Sequence, residues 1–139
     1  MTPSEIVVAF WEDGWNKHDE TALDRYCTEG CIMHFRNHSV RLLSPDGRAI
    51  LQRWISAFPD IRCTVDDVIT QDNRVAVRLT FQGTHKGKFR DWSPTSRPFR
   101  FSQMAFARVE EGRIAELWED YDELGLWQQL GRGLVSASR

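Results

Sequence analysis

Residues 112–131 read GRIAELWEDYDELGLWQQLG, and this stretch holds both a change of period and a pair of acids. Over its first half Ile114, Trp118, Asp120 and Asp122 share one parity, while Ala115, Leu117 and Tyr121 share the other. Side chains alternate across a pleated strand, so Trp118, Asp120 and Asp122 are expected to line one face, with same-face neighbours about 6.8 Å apart. An indole beside two carboxylates on the inward face of a sheet would make an acid–base site. Over the second half Leu126, Trp127 and Leu130 fall at helical spacing, and Gly131 supplies a C-terminal stop. The stretch therefore predicts a strand that delivers acids to the mouth of a pocket, followed by a short helix.

Moving outward, Phe99–Val109 predicts a long strand turned by Glu110-Glu111-Gly112 into the acid-bearing one. Ile61–Gln71 and Arg74–Thr84 predict two more, joined at Asp72-Asn73. Upstream the period is helical. Thr2-Pro3-Ser4-Glu5 has the form of a capping box before a helix to about Asn16, with Ile6, Val7, Phe10, Trp11 and Gly14 inward. Asp19 is placed to cap a shorter helix through Tyr26, and Gly30 to separate it from a strand at Cys31–Arg36. Ser44-Pro45 opens a third helix, carrying Ile50, Leu51, Trp54, Ile55 and Phe58 on its inner face. The Gly-, Pro- and Lys-rich segment His85–Pro98 reads as a loop at the sheet's rim, with Phe89 and Trp92 as a lid. Helices segregated from a meander of four antiparallel strands give an α+β fold, one domain over residues 1–139, with helices on the concave side of a curved sheet around a cone-shaped cavity.

The 139 residues suffice for one core, and a net charge of −2 offers no case for nucleic acid or an anionic membrane. No apolar run approaches a membrane span, and the polar start MTPSE is unlike a signal peptide, so a cytoplasmic protein is expected. Six Trp and eight Phe exceed what packing a small core requires, which points to a pocket for a flat or greasy ligand. Cys27, Cys31, His34 and His38 resemble zinc ligands superficially. However, only two residues separate the Cys pair from the His pair, and alternation sets Cys31 and His34 on opposite faces, so no metal is expected.

Three segments carry a resemblance: Ala57-Phe58-Pro59-Asp60-Ile61, Gly83-Thr84-His85-Lys86-Gly87, and Glu111-Gly112-Arg113-Ile114 running through Trp118 and Asp122 to Gln128-Gln129-Leu130-Gly131. In this order they resemble the SnoaL-like polyketide cyclases, within the superfamily built on the nuclear transport factor 2 fold. The resemblance implies an intramolecular aldol ring closure on a polyketide-like substrate, with neither metal nor organic cofactor. It maps the family's acid–base aspartate onto Asp122, whose competing role is to cap the last helix. The fold also hosts epoxide-opening and hydroxylation-type enzymes and non-catalytic binders of hydrophobic ligands.

Asp120 and His34 complete the expected catalytic set, His34 as an inward hydrogen-bond donor to a substrate carbonyl, although a lone strand histidine also serves structural ends. Trp118 and His85, Trp54 and Phe58 on the third helix, Met104 and Phe106 on the third long strand, Phe89 in the loop and Trp15 on the first helix are the expected pocket lining, each with plain core packing as its alternative. A sheet with helices on one face only leaves the other to be covered, and a homodimer burying sheet against sheet is the expected solution.

Overall fold

The structure is a computed structural model that describes residues 1–132. Its elements are α1 (Pro3–Asn16), α2 (Ala22–Tyr26), β1 (Cys27–Phe35), β2 (His38–Arg41), α3 (Pro45–Ala57), β3 (Arg62–Gln71), β4 (Arg74–Thr84), β5 (Pro98–Glu110), β6 (Arg113–Tyr121) and α4 (Glu123–Gln129). The strands form one six-stranded sheet in the order β2-β1-β6-β5-β4-β3. β3 to β6 are an antiparallel meander, whereas β1 joins β6 in parallel.

Local chemistry accounts for most boundaries. Thr2 and Glu5 exchange hydrogen bonds in a capping box with Pro3 at the first turn of α1, and Ile6, Val7, Phe10, Trp11 and Gly14 are its buried face. Ser44 Oγ accepts from the Gly47 amide at the start of α3. At the other end of α3 the amides of Lys86 and Gly87 both donate to the Ala57 carbonyl, docking the long loop on that helix. A Cβ at Gly87 would collide with the Ser56 carbonyl oxygen, so the close approach requires glycine. Asn16 binds the Cys63 backbone through both side-chain atoms, at 2.9 and 2.7 Å, and so ties α1 to β3.

Three features differ from the sequence reading. α2 is a single turn that passes directly into β1, which continues through Gly30. β2, short and polar, pairs with β1 at Ile32–Phe35 and gave no apolar period by which to find it. The third difference concerns which face each residue of β6 occupies. Val109 pairs with Ile114, but Arg108 pairs with Glu116, so Ala115 is one residue more than β5 can match. Such a bulge reverses the alternation beyond it. Ile114 is buried on the concave side, and past the bulge the inward residues are Leu117, Glu119 and Tyr121. Trp118 and Asp120 point to the outer, convex face beside Met104 and Phe106.

Asp122 lies just past the strand. It is exposed, and its Oδ1 accepts from the Gly125 amide at 2.9 Å as the N-cap of α4. Replacing it with Ala is expected to lower stability by about 1 kcal/mol, with Asn or Ser restoring most of the loss, measured by urea denaturation.

Candidate active site

A cavity of about 540 Å³ lies between the concave face of the sheet and the helices. Phe81 from β4, Phe101 and Gln103 from β5, Glu119 and Tyr121 from β6, and Met33 and Phe35 from β1 face it from the sheet side. Trp15 from α1, with Ile50, Arg53 and Trp54 from α3, faces it from the helix side. Lys88, Phe89 and Arg90 of the long loop and Glu123 of α4 complete its border. The aromatic lining is mutually braced. Trp54 meets Trp15, Phe89, Phe101 and Tyr121 with ring centroids 5.3 to 6.3 Å apart, and Tyr121 stacks on Phe35 at 5.2 Å.

Two acids line this cavity: Glu123, held by Arg36 and Arg90, and Glu119, which has no cation partner among the described residues. Burial raises the Glu119 carboxyl from an ordinary carboxylate value to about 7, against the opposing pull of a hydrogen bond from Gln103 Nε2 to Oε1 at 3.2 Å. Gln103 is itself buried, in the otherwise apolar inward series Phe99, Phe101, Ala105, Ala107 and Val109. Register explains the meeting: Ala105 lies opposite Glu119, and Gln103 opposite Tyr121. The Tyr121 hydroxyl donates to Glu123 Oε2 at 3.2 Å, and burial pushes the phenol up. Glu123 also receives Arg36 at 3.0 Å and Arg90 at 3.2 Å.

Of the residues expected to form the site, Trp15, Trp54 and Phe89 line the cavity. The remainder lie elsewhere. Asp122 is the helix cap, and Asp120 is an exposed partner of Arg36 on the outer face. His34, on the same outer face, binds Glu116 at 2.6 Å and Ser39 at 2.8 Å, with its ring stacked on Trp118. Trp118 belongs to that outer surface because of the Ala115 bulge in β6, and Met104 and Phe106 because they hold the outward parity of β5, opposite to the buried Phe101, Gln103, Ala105 and Ala107. Phe58 is wholly buried behind Phe89 and Phe99, in the core. His85 is likewise buried: its Nδ1 accepts from the Thr95 amide at 3.3 Å and lies 3.1 Å from the Thr95 hydroxyl, so it anchors the loop's base. Burial holds His85 below the usual imidazole range. The alternation had hidden Glu119, Gln103 and Tyr121. The trace of them in the sequence is Gln103, a polar residue at the core parity of β5, and Glu119, set between Leu117 and Tyr121.

The sequence profile of the SnoaL-like polyketide cyclase family matches residues 5–130. The chain belongs to this family. It is 26% identical over 140 residues to the aklanonic acid methyl ester cyclase DauD of Streptomyces sp. strain C5, covering 94% of this chain and 83% of that protein. Among solved structures, it superposes on wild-type IdmH of Streptomyces antibioticus, a proposed polyketide cyclase, with a TM-score of 0.78 at 27% identity, covering 94% and 99% of the two chains. TsrD of Streptomyces laurentii gives 0.79 at 27%, covering 93% and 95%. AclR of Streptomyces galilaeus, a proposed hydroxylase, gives 0.82 at 22%, covering 93% and 95%, and shares the fold.

The elevated carboxyl has a consequence for this SnoaL-like protein that can be measured without a substrate. Folded Glu119 keeps its proton to about pH 7, whereas the unfolded chain releases it near 4.5. The contribution is fully present below the lower value and is lost as pH rises through the higher one. Relative to Glu119→Gln, the wild type is expected to lose about 3 kcal/mol of stability between pH 4.5 and 8, read from denaturation midpoints across that range.

Proposed function

We propose that the protein closes a ring in a polyketide-derived substrate by an intramolecular aldol reaction, with Glu119 as the acid–base group. The observation that carries this reading is a carboxyl poised near pH 7 in an aromatic-walled cavity. The Glu119 carboxylate removes a proton from a carbon flanked by carbonyls. The carbanion so formed attacks a second carbonyl of the same molecule. The carboxyl group then returns its proton to the new alkoxide, leaving the acid as it began. A group whose pKa lies near the working pH performs both transfers well. Gln103 occupies Oε1 and leaves Oε2 for the substrate. Trp15, Trp54, Phe101 and Tyr121 would hold a long chain curled, which removes part of the entropic barrier to closure. The name of the DauD relative supports a polyketide-derived substrate of this kind. The reaction draws on acid–base groups alone, and neither metal nor organic cofactor enters the scheme.

With poly-β-carbonyl substrates, beginning with aklanonic acid methyl ester, Glu119→Gln is expected to lower kcat by roughly 100-fold or more while the variant still binds. The wild-type rate is expected to rise with pH through about 7, as the carboxylate form is populated. Asp122→Asn, which alters a residue outside the cavity, is expected to stay within a few-fold of wild type. Unchanged turnover in Glu119→Gln would sink the assignment.

We further propose a homodimer joined through the convex face of the sheet. There Ile69 is 68%, Met104 65% and Phe106 38% exposed, around a groove of about 500 Å³ shared with Trp118 and Ala76. Asp67, Asp120 and Arg78 border the same groove, so two copies related by a two-fold axis can match acid to base. Sedimentation at micromolar concentration is expected to give the dimer mass, and Met104→Asp to give the monomer.

A further inference from the structure

The hairpin of β1 and β2 sets three side chains of the outer face in a row. The Leu42 amide donates to the Cys31 carbonyl at 2.9 Å. Backbone bonding alternates from there along the antiparallel ladder, so Met33–Val40 and Phe35–His38 are bonded pairs. His34 and Ser39 form the non-bonded pair between them, the kind in which facing side chains come closest. On its other side His34 stands opposite Trp118 of β6 and reaches Glu116, two residues along the same face. Ser39 Oγ lies 2.8 Å from His34 Nδ1, and Glu116 Oε2 lies 2.6 Å from His34 Nε2.

The acid sets the protonation of this row. Hydrogen bonds from His34 and Arg108 hold the Glu116 carboxyl below the usual carboxylate range. A carboxylate only accepts, so Nε2 carries a proton, and in the neutral ring Nδ1 is left as the acceptor. The Ser39 hydroxyl then donates to Nδ1. The imidazole is fixed further by its stack on Trp118, with centroids 5.3 Å apart and planes at 21°. The row also runs outward: Glu116 and His34 are partly buried, and Ser39 is exposed. As a member of a non-bonded pair, Ser39 turns its N–H away from β1, over an edge with no further strand among the described residues. None of the three lines the convex groove at which two copies are proposed to meet.

We infer that Ser39, His34 and Glu116 form a second catalytic site, at which Ser39 takes the acyl group of small thioesters and aryl esters. This inference is independent of the reaction proposed for the concave cavity. Ser39 Oγ attacks the carbonyl carbon while its proton passes to His34 Nδ1, and Glu116 offsets the charge of the imidazolium. The Ser39 N–H donates to the carbonyl oxygen as negative charge gathers there. The intermediate then expels the thiolate or phenolate, which takes the proton from Nδ1, and the acyl group remains on Ser39 as an ester. Water repeats the sequence: its oxygen attacks the acyl carbon, its proton passes through His34 to Ser39 Oγ, and the carboxylic acid leaves. One oxyanion donor in an open site suffices only where the leaving group is good. An alkyl ester, such as that of the ring-closing substrate named above, is therefore left intact.

p-Nitrophenyl acetate is a suitable probe. The wild type is expected to release p-nitrophenolate and to carry an acetyl group on Ser39, located by peptide mass mapping. Ser39→Ala, which removes only an exposed hydroxyl, is expected to slow release roughly 100-fold. His34→Gln is expected to slow it by about the same factor, with circular dichroism checking that the variant is folded. Glu116 is a positioning residue, acting through His34. In Glu116→Gln the side-chain amide can donate to Nε2, which moves the ring proton to Nδ1 and leaves the Ser39 hydroxyl without its acceptor. Release is then expected to slow roughly tenfold or more, with the change of tautomer read from the nitrogen NMR shifts of the imidazole. Release that is unchanged in any of the three variants, or acetyl groups found on lysines alone, overturns the inference.

Discussion

At Ala115, strand β6 holds one residue more than β5 can pair, and everything beyond that point is turned to the opposite face. Without the bulge, Trp118 and Asp120 would face the helices, and Glu119 would lie in water on the convex side. With it, Leu117, Glu119 and Tyr121 join the inward series of β5, where Ala105 lies opposite Glu119 and leaves room for the longer acid. The carboxyl thus reaches the cavity from near the end of a strand that is still paired on both sides at this residue, by Ala105 of β5 and by Phe35 of β1. A group mounted this way is held by backbone hydrogen bonds rather than by a loop, which suits a catalyst that must meet one atom of a flexible substrate.

That placement is costly. A carboxyl raised to about 7 opposes folding at neutral pH, because the ionised form must shed water that the cavity does not replace. Gln103 returns part of this as a hydrogen bond from a side chain that is itself buried. Interactions outside the cavity lining help to offset the remainder: the capping box on α1, the two-way clasp of Asn16 on Cys63, the Asp122 cap and the docking of the loop on Ala57. Asp122 and Glu119 therefore divide two roles available to acids in this segment. One steadies the last helix in water, and the other faces the cavity, where the acid–base role is proposed for it.

The fold was legible because its signals are local and redundant. Thr2-Pro3-Ser4-Glu5 and Ser44-Pro45 each mark a helix start by cap chemistry, and Val75, Val77, Leu79 and Phe81 alternate without interruption. The site was legible only in part. Trp15, Trp54 and Phe89 were found because large aromatics gather where a cavity must be walled, and that holds whichever way a strand faces. The acids were misplaced because parity counts from a reference residue: Ile114 is inward, but lies on the far side of the bulge from Trp118. A bulge is a property of two strands in register and leaves no mark on one of them. His34 failed for a related reason, since β1 lies parallel to β6 and takes its facing from Met33 opposite Leu117 and His34 opposite Trp118.

The two faces of β6 then carry separate tasks within one run of residues. Outward, Trp118 stacks on His34 and packs edge-on against Phe106, while Glu116 binds His34 and Arg108. Inward, Glu119 and Tyr121 meet the cavity. Because adjacent residues serve opposite faces, a change in how the convex face is covered reaches the acid through one peptide unit, as a shift of the strand that holds both. A partner subunit packed on Trp118 would in this way fix the position of Glu119 without touching it. The site would then be most rigid in the assembly that also hides the exposed apolar side chains of the sheet.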